Sequence, residues 1–106
     1  MSAMRWIALP IDADVCAPMY AHHFPGRPIL PGAFLLDRIV AALTAQRALP
    51  VDGDWAVRSA KFLAPVGPAD SLTLGWRGER DGIVRFECRA ADTVVATGLL
   101  DAQPAR

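Results

Sequence analysis

The sequence predicts an α+β domain in which an antiparallel sheet of about five to six strands wraps one long central helix. Three observations carry this expectation. Residues 33–46 contain neither glycine nor proline and are apolar at Ala33, Phe34, Leu35, Leu36, Ile39, Val40, Ala41, Ala42 and Leu43. Elsewhere, apolar runs of strand length are separated by turns that hold most of the 9 prolines and 8 glycines. A chain of 106 residues suffices for one core, since a domain of this size buries roughly two-thirds of its unfolded surface.

In chain order, residues 4–11, with Trp6, Ile7 and Leu9, read as a strand that Pro10 places at a sheet edge or bulge. Residues 15–20 form a weaker extended stretch. Residues 23–32 hold Pro25, Gly26, Pro28, Pro31 and Gly32 and must be an ordered, non-helical loop. The helix runs from Gly32 to about Gln46. Its apolar residues occupy most of the circumference, so protein is expected around it on all sides. Residues 49–54 turn out of it, 55–63 are strand-like, and 64–70 turn again. Leu72, Leu74 and Trp76 share one strand face, and Arg80-Asp81-Gly82 signals a hairpin. Val84, Phe86, Cys88 and Ala90 alternate with Arg85, Glu87 and Arg89, the pattern of a half-buried strand. Ala91-Asp92 turns into a last strand over 93–100, and 101–106 are expected to fray.

Composition removes several classes of function. With 53% apolar and 21% charged residues the chain is not disordered. Its 11 basic and 11 acidic residues leave no surplus for nucleic acid. No apolar run reaches the ~18 residues of a membrane span, and the first residues lack the charged-then-apolar pattern of a signal peptide. Cys16 and Cys88 are too few for a disulfide framework and read as small buried hydrophobes. The expectation is a single cytoplasmic domain over residues 1–106 that hides surface in a dimer.

The informative stretch is His23-Phe24-Pro25-Gly26-Arg27-Pro28-Ile29-Leu30-Pro31-Gly32-Ala33-Phe34-Leu35-Leu36-Asp37. A histidine precedes a loop stiffened by three prolines. A Pro-Gly pair opens the apolar helix, where free backbone N–H groups can hold developing negative charge. Asp37 is a lone carboxylate in the second turn of that helix, and a buried Asp needs a partner or a job. Taken singly, each feature has a plain structural reading. The histidine can be a hydrogen-bonded structural group, Asp37 can pair with Arg38 or Arg58, and Pro-Gly can be just a turn. The three in this order are harder to dismiss. His22-His23 with Cys16 is not a metal pattern, because adjacent side chains on extended backbone point apart. There is no GxSxG elbow, P-loop or dinucleotide fingerprint.

This stretch resembles the signature of the hot-dog-fold 3-hydroxyacyl-[acyl-carrier-protein] dehydratases. In that family a catalytic histidine precedes an FPGxP-type loop, and the catalytic acid comes fourteen positions later, as Asp37 follows His23 here. The acid is Asp, as in the 3-hydroxydecanoyl branch, rather than the Glu of the broader branch. Lys61-Phe62-Leu63-Ala64-Pro65-Val66 is similar to the strand-end pattern that follows in the family. Two positions depart from it: His22 stands where Gly is usual, and Arg38 where a Gln often follows the acid. The short length looks more like the small dehydratase-like proteins of aryl-polyene pathways.

The resemblance implies dehydration of a 3-hydroxyacyl thioester to the trans-2-enoyl thioester in fatty-acid, polyene or polyketide-type synthesis. His23 would take the C2 proton, a task suited to an imidazole with an ordinary pKa of about 6.5. Asp37 would give a proton to the departing hydroxide, and a carboxyl group enclosed in an apolar tunnel is raised towards such a role. The Gly32 N–H would hold the thioester oxygen. Phe24, Pro31, Phe34 and Leu36 would line the substrate tunnel, although core packing serves equally for each. No cofactor or metal is expected, because the substrate arrives on the phosphopantetheine of acyl-carrier protein or on coenzyme A. Arg27, Arg38, Arg58 and Lys61 would meet that arm or an acidic carrier. The family also implies a homodimer whose sites take His and acid from different subunits. Two alternatives stay open, a hot-dog acyl thioesterase and a non-catalytic acyl-thioester-binding or scaffold subunit.

Overall fold

Alternation of apolar and polar residues, and the unbroken run at 33–46, sort the chain into the elements that the sequence suggests. The computed structural model describes residues 3–11, 29–51 and 53–103. The elements are β1 (Arg5–Leu9), α1 (Gly32–Ala45), β2 (Ala56–Phe62), β3 (Leu72–Gly78), a single 3-10 turn (Arg80–Gly82), β4 (Ile83–Ala90) and β5 (Thr93–Asp101). The strands form one antiparallel sheet in the order β1-β3-β4-β5-β2. β1 and β2 are therefore the two edges, which is where Pro10 is tolerated. The extended stretch expected at 15–20 and the loop residues 23–28 lie outside the described residues.

Period-two alternation puts Leu72, Leu74 and Trp76 of β3 beside Val84, Phe86 and Cys88 of β4, all buried on the face turned to the helix. From α1, Leu35, Ile39 and Leu43 enter the same core. Their spacing of four makes a single stripe, and each buried aliphatic side chain contributes about 1.5–3 kcal/mol. The opposite stripe, Ala33, Asp37, Ala41 and Ala45, is exposed. Among the described residues the sheet thus covers one side of α1, not all sides as its apolar circumference suggests, because one sheet has one face to offer it.

Two glycines make room for aromatic rings. A Cβ at Gly75 would lie 2.8 Å from three atoms of the Trp6 indole, so the ring is laid over the strand backbone. The Arg89 guanidinium stands 5.0 Å from the same ring. Trp6 thereby covers a glycine next to an edge, a recurrent way of stabilising one. At Gly98 the neighbours are the Phe86 ring and the Ser59 carbonyl. Ser59 lies just past the register shift between Val57 and Ser59 that bends β2.

The end of α1 is a Schellman turn. The Ala48 N–H donates to the Leu43 carbonyl at 2.9 Å and the Arg47 N–H to the Thr44 carbonyl at 3.0 Å. The turn needs a left-handed residue, and Arg47 occupies that position at φ 61. Glycine adopts it without the Cβ penalty. Arg47→Gly is therefore expected to raise stability by about 0.5–1 kcal/mol, seen as a melting temperature higher by a few degrees. A fall in melting temperature would show that the Arg47 side chain contributes more than its backbone strain removes.

Residues 101–103 depart from the frayed tail expected over 101–106. Asp101 is not frayed: it pairs with Ile83 and Ala56 as the last residue of β5 and is buried. Its carboxylate accepts from the Gln103 N–H at 2.9 Å and faces the Arg58 Nε at 3.4 Å. These contacts offset the burial of a charge that apolar periodicity alone would leave outside the strand.

Candidate active site

Gly32 sits at the start of α1 with Pro31 as its N-cap. Proline offers no side-chain acceptor, and the first turn carries no acidic residue. The Pro31 carbonyl accepts the N–H groups of Phe34 and Leu35, both at 3.1 Å. Among the described residues no acceptor meets the Gly32 N–H. The positive end of the helix is therefore neither capped nor neutralised within this part of the chain.

That helix start opens on an apolar hollow of about 380 Å³. Ile29, Leu30, Pro31, Gly32 and Leu35 form one wall. Phe62, Ala64, Pro65 and Val66, at and beyond the end of β2, form the other. One backbone bond joins the walls, from the Leu30 N–H to the Val66 carbonyl at 2.8 Å. The second wall is held in shape by its own turn, where the Gly67 N–H donates to the Asp70 carboxylate at 2.7 Å. A helix-start N–H that meets no acceptor among the described residues, set beside apolar walls, can hold an oxygen that gains negative charge, and a low dielectric strengthens such a hydrogen bond. A second hollow of about 310 Å³, bordered by Arg5, Ala48, Trp76 and Arg77, lies at the other end of α1 and holds none of the expected site residues.

The other candidates are distributed as follows. Pro31 borders the hollow with Gly32. Phe34 and Leu36 pack against the core and are not among the lining residues. Asp37 lies five residues after Gly32, about 7.5 Å along the axis and about 140° around it. Its side chain is 69% exposed and faces the Arg38 guanidinium at 3.3 Å. One chain therefore does not bring Asp37 and the hollow together. His23, Phe24, Arg27 and Cys16 lie outside the described residues.

Of the cations considered for a carrier arm, Arg38 is held by Asp37 and stands 5.8 Å from the Phe34 ring. Arg58 is held by Asp101. Lys61 is exposed at the β2 edge. Burial pushes the Cys88 thiol up to about 11, so it stays protonated at neutral pH and is a packing group. The residue that sequence reasoning missed is Phe62. Its only signal was its place in the Lys61-Phe62 pattern, and nothing local says that its ring reaches Gly32.

Comparison with known proteins sets this geometry in a family. The model of the ApeI-like family, described as ApeI dehydratase, matches residues 3–99. The 3-hydroxyacyl-[acyl-carrier-protein] dehydratase FabZ of Variovorax paradoxus is 37% identical over 84 residues, covering 69% of this chain and 56% of that protein. FabZ of Chlamydia trachomatis is 35% identical over 78 residues, covering 66% and 51%. The chain thus spans about half the length of the curated relatives it matches. The dehydratase heterocomplex ApeI:P from Xenorhabdus doucetiae superposes with a TM-score of 0.69 at 21% identity, covering 91% of this chain and 83% of that one. A Thermus thermophilus thioesterase complexed with coenzyme A and Zn gives 0.57 at 19%, covering 94% and 87%. The structural likenesses establish a hot-dog fold, a five-stranded antiparallel sheet with a helix. Because the family model extends over nearly the whole sequence, the chain belongs to the ApeI-like dehydratase family.

Proposed function

We propose that the chain removes water from 3-hydroxyacyl thioesters, delivered on acyl-carrier protein or coenzyme A, to give trans-2-enoyl thioesters. The observation that carries this reading is the start of α1, which among the described residues has no side-chain cap, opening on an apolar hollow. The thioester oxygen accepts from the Gly32 N–H. The imidazole of His23 takes the C2 proton, the C2 electron pair becomes the C2=C3 bond, and the C3–O bond breaks. Asp37 delivers a proton to the departing oxygen, so that water leaves. Every group is an acid, a base or a hydrogen-bond donor of the chain. The reverse hydration uses the same groups.

A second copy of the chain completes the site in this reading. Among the described residues no strand lies beyond the β2 edge, and Val57, Phe62 and Leu63 stand exposed along it at 43%, 48% and 58%. A long open edge with apolar residues is a template for another strand. Isologous pairing there would bring a partner over the open face of α1, so that the helix becomes central and Asp37 enclosed. The relative described as a heterocomplex favours a second possibility, in which a related but different chain takes that place. Native mass spectrometry of the purified chain separates the two: a dimer of identical mass supports the first, a monomer the second.

Activity is tested by incubating purified protein with a short carrier-linked 3-hydroxyacyl thioester and following loss of water by mass spectrometry. His23→Ala is expected to reduce that rate by about 10²–10⁴-fold, the usual worth of a positioned base. Release of free thiol without an alkene would turn the assignment to thioester hydrolysis. Binding without turnover over several chain lengths would turn it to a scaffold.

A further inference from the structure

An aromatic ring walls the hollow beside Gly32. A Cβ added to Gly32 would meet Cγ, Cδ2 and Cε2 of Phe62, each at 3.2 Å. A point equally distant from three carbons of one ring lies over its face, so Phe62 turns the flat of its ring to the start of α1. Carbon atoms in contact prefer about 3.5–4.0 Å. A carbon held against the helix backbone at that point is therefore closer to the ring than ordinary contact, and the ring must give by a few tenths of an ångström to admit it.

We infer that Phe62 determines specificity at C2 of the substrate: its ring admits acyl thioesters that are unbranched there and turns away 2-methyl-branched ones. The inference rests on the proposed seating of the thioester oxygen on the Gly32 N–H. An oxygen bound there lies about 2.9 Å from the nitrogen. C2 is two bonds from that oxygen, roughly 2.4 Å away by standard covalent geometry, so it enters the hollow that Gly32 and Phe62 both line. Hydrogens on C2 fit, and a methyl group meets the ring. The other close walls, Leu30, Leu35 and Val66, are 4%, 2% and 3% exposed and belong to the core. Phe62 is 48% exposed on an edge strand, so it can be changed without emptying the core.

The test uses the full chain as purified and two unreactive probes, butyryl- and 2-methylbutyryl-pantetheine in which an amide replaces the thioester. Calorimetry gives the affinity ratio of the two probes for the native protein, Phe62→Leu and Phe62→Ala. The native protein is expected to favour the unbranched probe by about tenfold or more, equivalent to about 1.4 kcal/mol. Phe62→Ala is expected to bring the ratio within about threefold, with Phe62→Leu between. No preference in the native protein, an unmoved ratio in both variants, or no binding of either probe overturns the inference. Turnover of the matching 3-hydroxyacyl thioesters separates it from the reaction itself. Loss of water with an unmoved ratio removes the role of Phe62 and keeps the dehydratase. A ratio that moves without any loss of water keeps the wall and removes the dehydratase.

Discussion

Replacing Asp37 by Asn is expected to slow loss of water from a 3-hydroxyacyl thioester by about 10²–10⁴-fold while the protein melts at nearly its native temperature. The two halves of that statement come from different observations. Asparagine keeps the shape of the side chain but has no acidic proton to give to the departing hydroxide. The structural cost to the single chain is small, because there the carboxylate is 69% exposed and its ion pair is a solvent-exposed one with the adjacent Arg38. Such pairs contribute about 0–1 kcal/mol. A rate and a thermal melt measured on the same preparation separate the roles. A loss of less than tenfold in rate, or a loss of rate that merely tracks unfolding, would return Asp37 to a surface ion pair.

The largest expected effect on stability comes from Gly98→Ala. A Cβ there would lie 2.5 Å from the Ser59 carbonyl oxygen and against the Phe86 ring. Neither neighbour can yield easily. Phe86 is 1% exposed at the centre of the core, and the carbonyl belongs to the bent backbone of β2. Overpacking a core commonly costs about 1–3 kcal/mol. With a fixed backbone atom in the way, the upper end or beyond is expected, since β2 must move away from β5. At about 4–8 °C per kcal/mol for a domain of this size, the melting temperature should fall by more than 10 °C. Gly98→Ala combined with Phe86→Leu separates the two contacts: the double variant should not recover the native melt, because the carbonyl contact persists. A single variant that melts within about 3 °C of the native protein would mean that the β2–β5 pairing is looser than drawn.

The helix and the strands were legible because they depend on neighbours in the chain. Alternation at Val84, Phe86, Cys88 and Ala90 is a property of extended backbone, and the run from Ala33 to Leu43 meets no breaker. The same local logic misjudged Asp101. Its charge suggested a solvated tail, but a buried carboxylate is acceptable once Arg58 and the Gln103 N–H meet it. Arg58 lies 43 residues away, beyond the reach of any local pattern. The strand order was also out of reach, for nothing in residues 56–62 announces that they close the far side of the sheet.

By itself the sequence determined an antiparallel sheet with one helix, the family resemblance and the residues proposed to act, His23, Gly32 and Asp37, but not a helix enclosed on all sides. The tertiary structure decided where an apolar hollow forms. It placed Phe62 face-on to Gly32 and joined Leu30 to Val66 so that a hollow forms at the start of α1. It also turned Asp37 to the side of the helix that the chain's own sheet does not reach. The reason is physical. Secondary structure follows from backbone sterics and the spacing of apolar residues along the chain. A pocket is the space left between segments distant in sequence, and its shape exists only once they have packed.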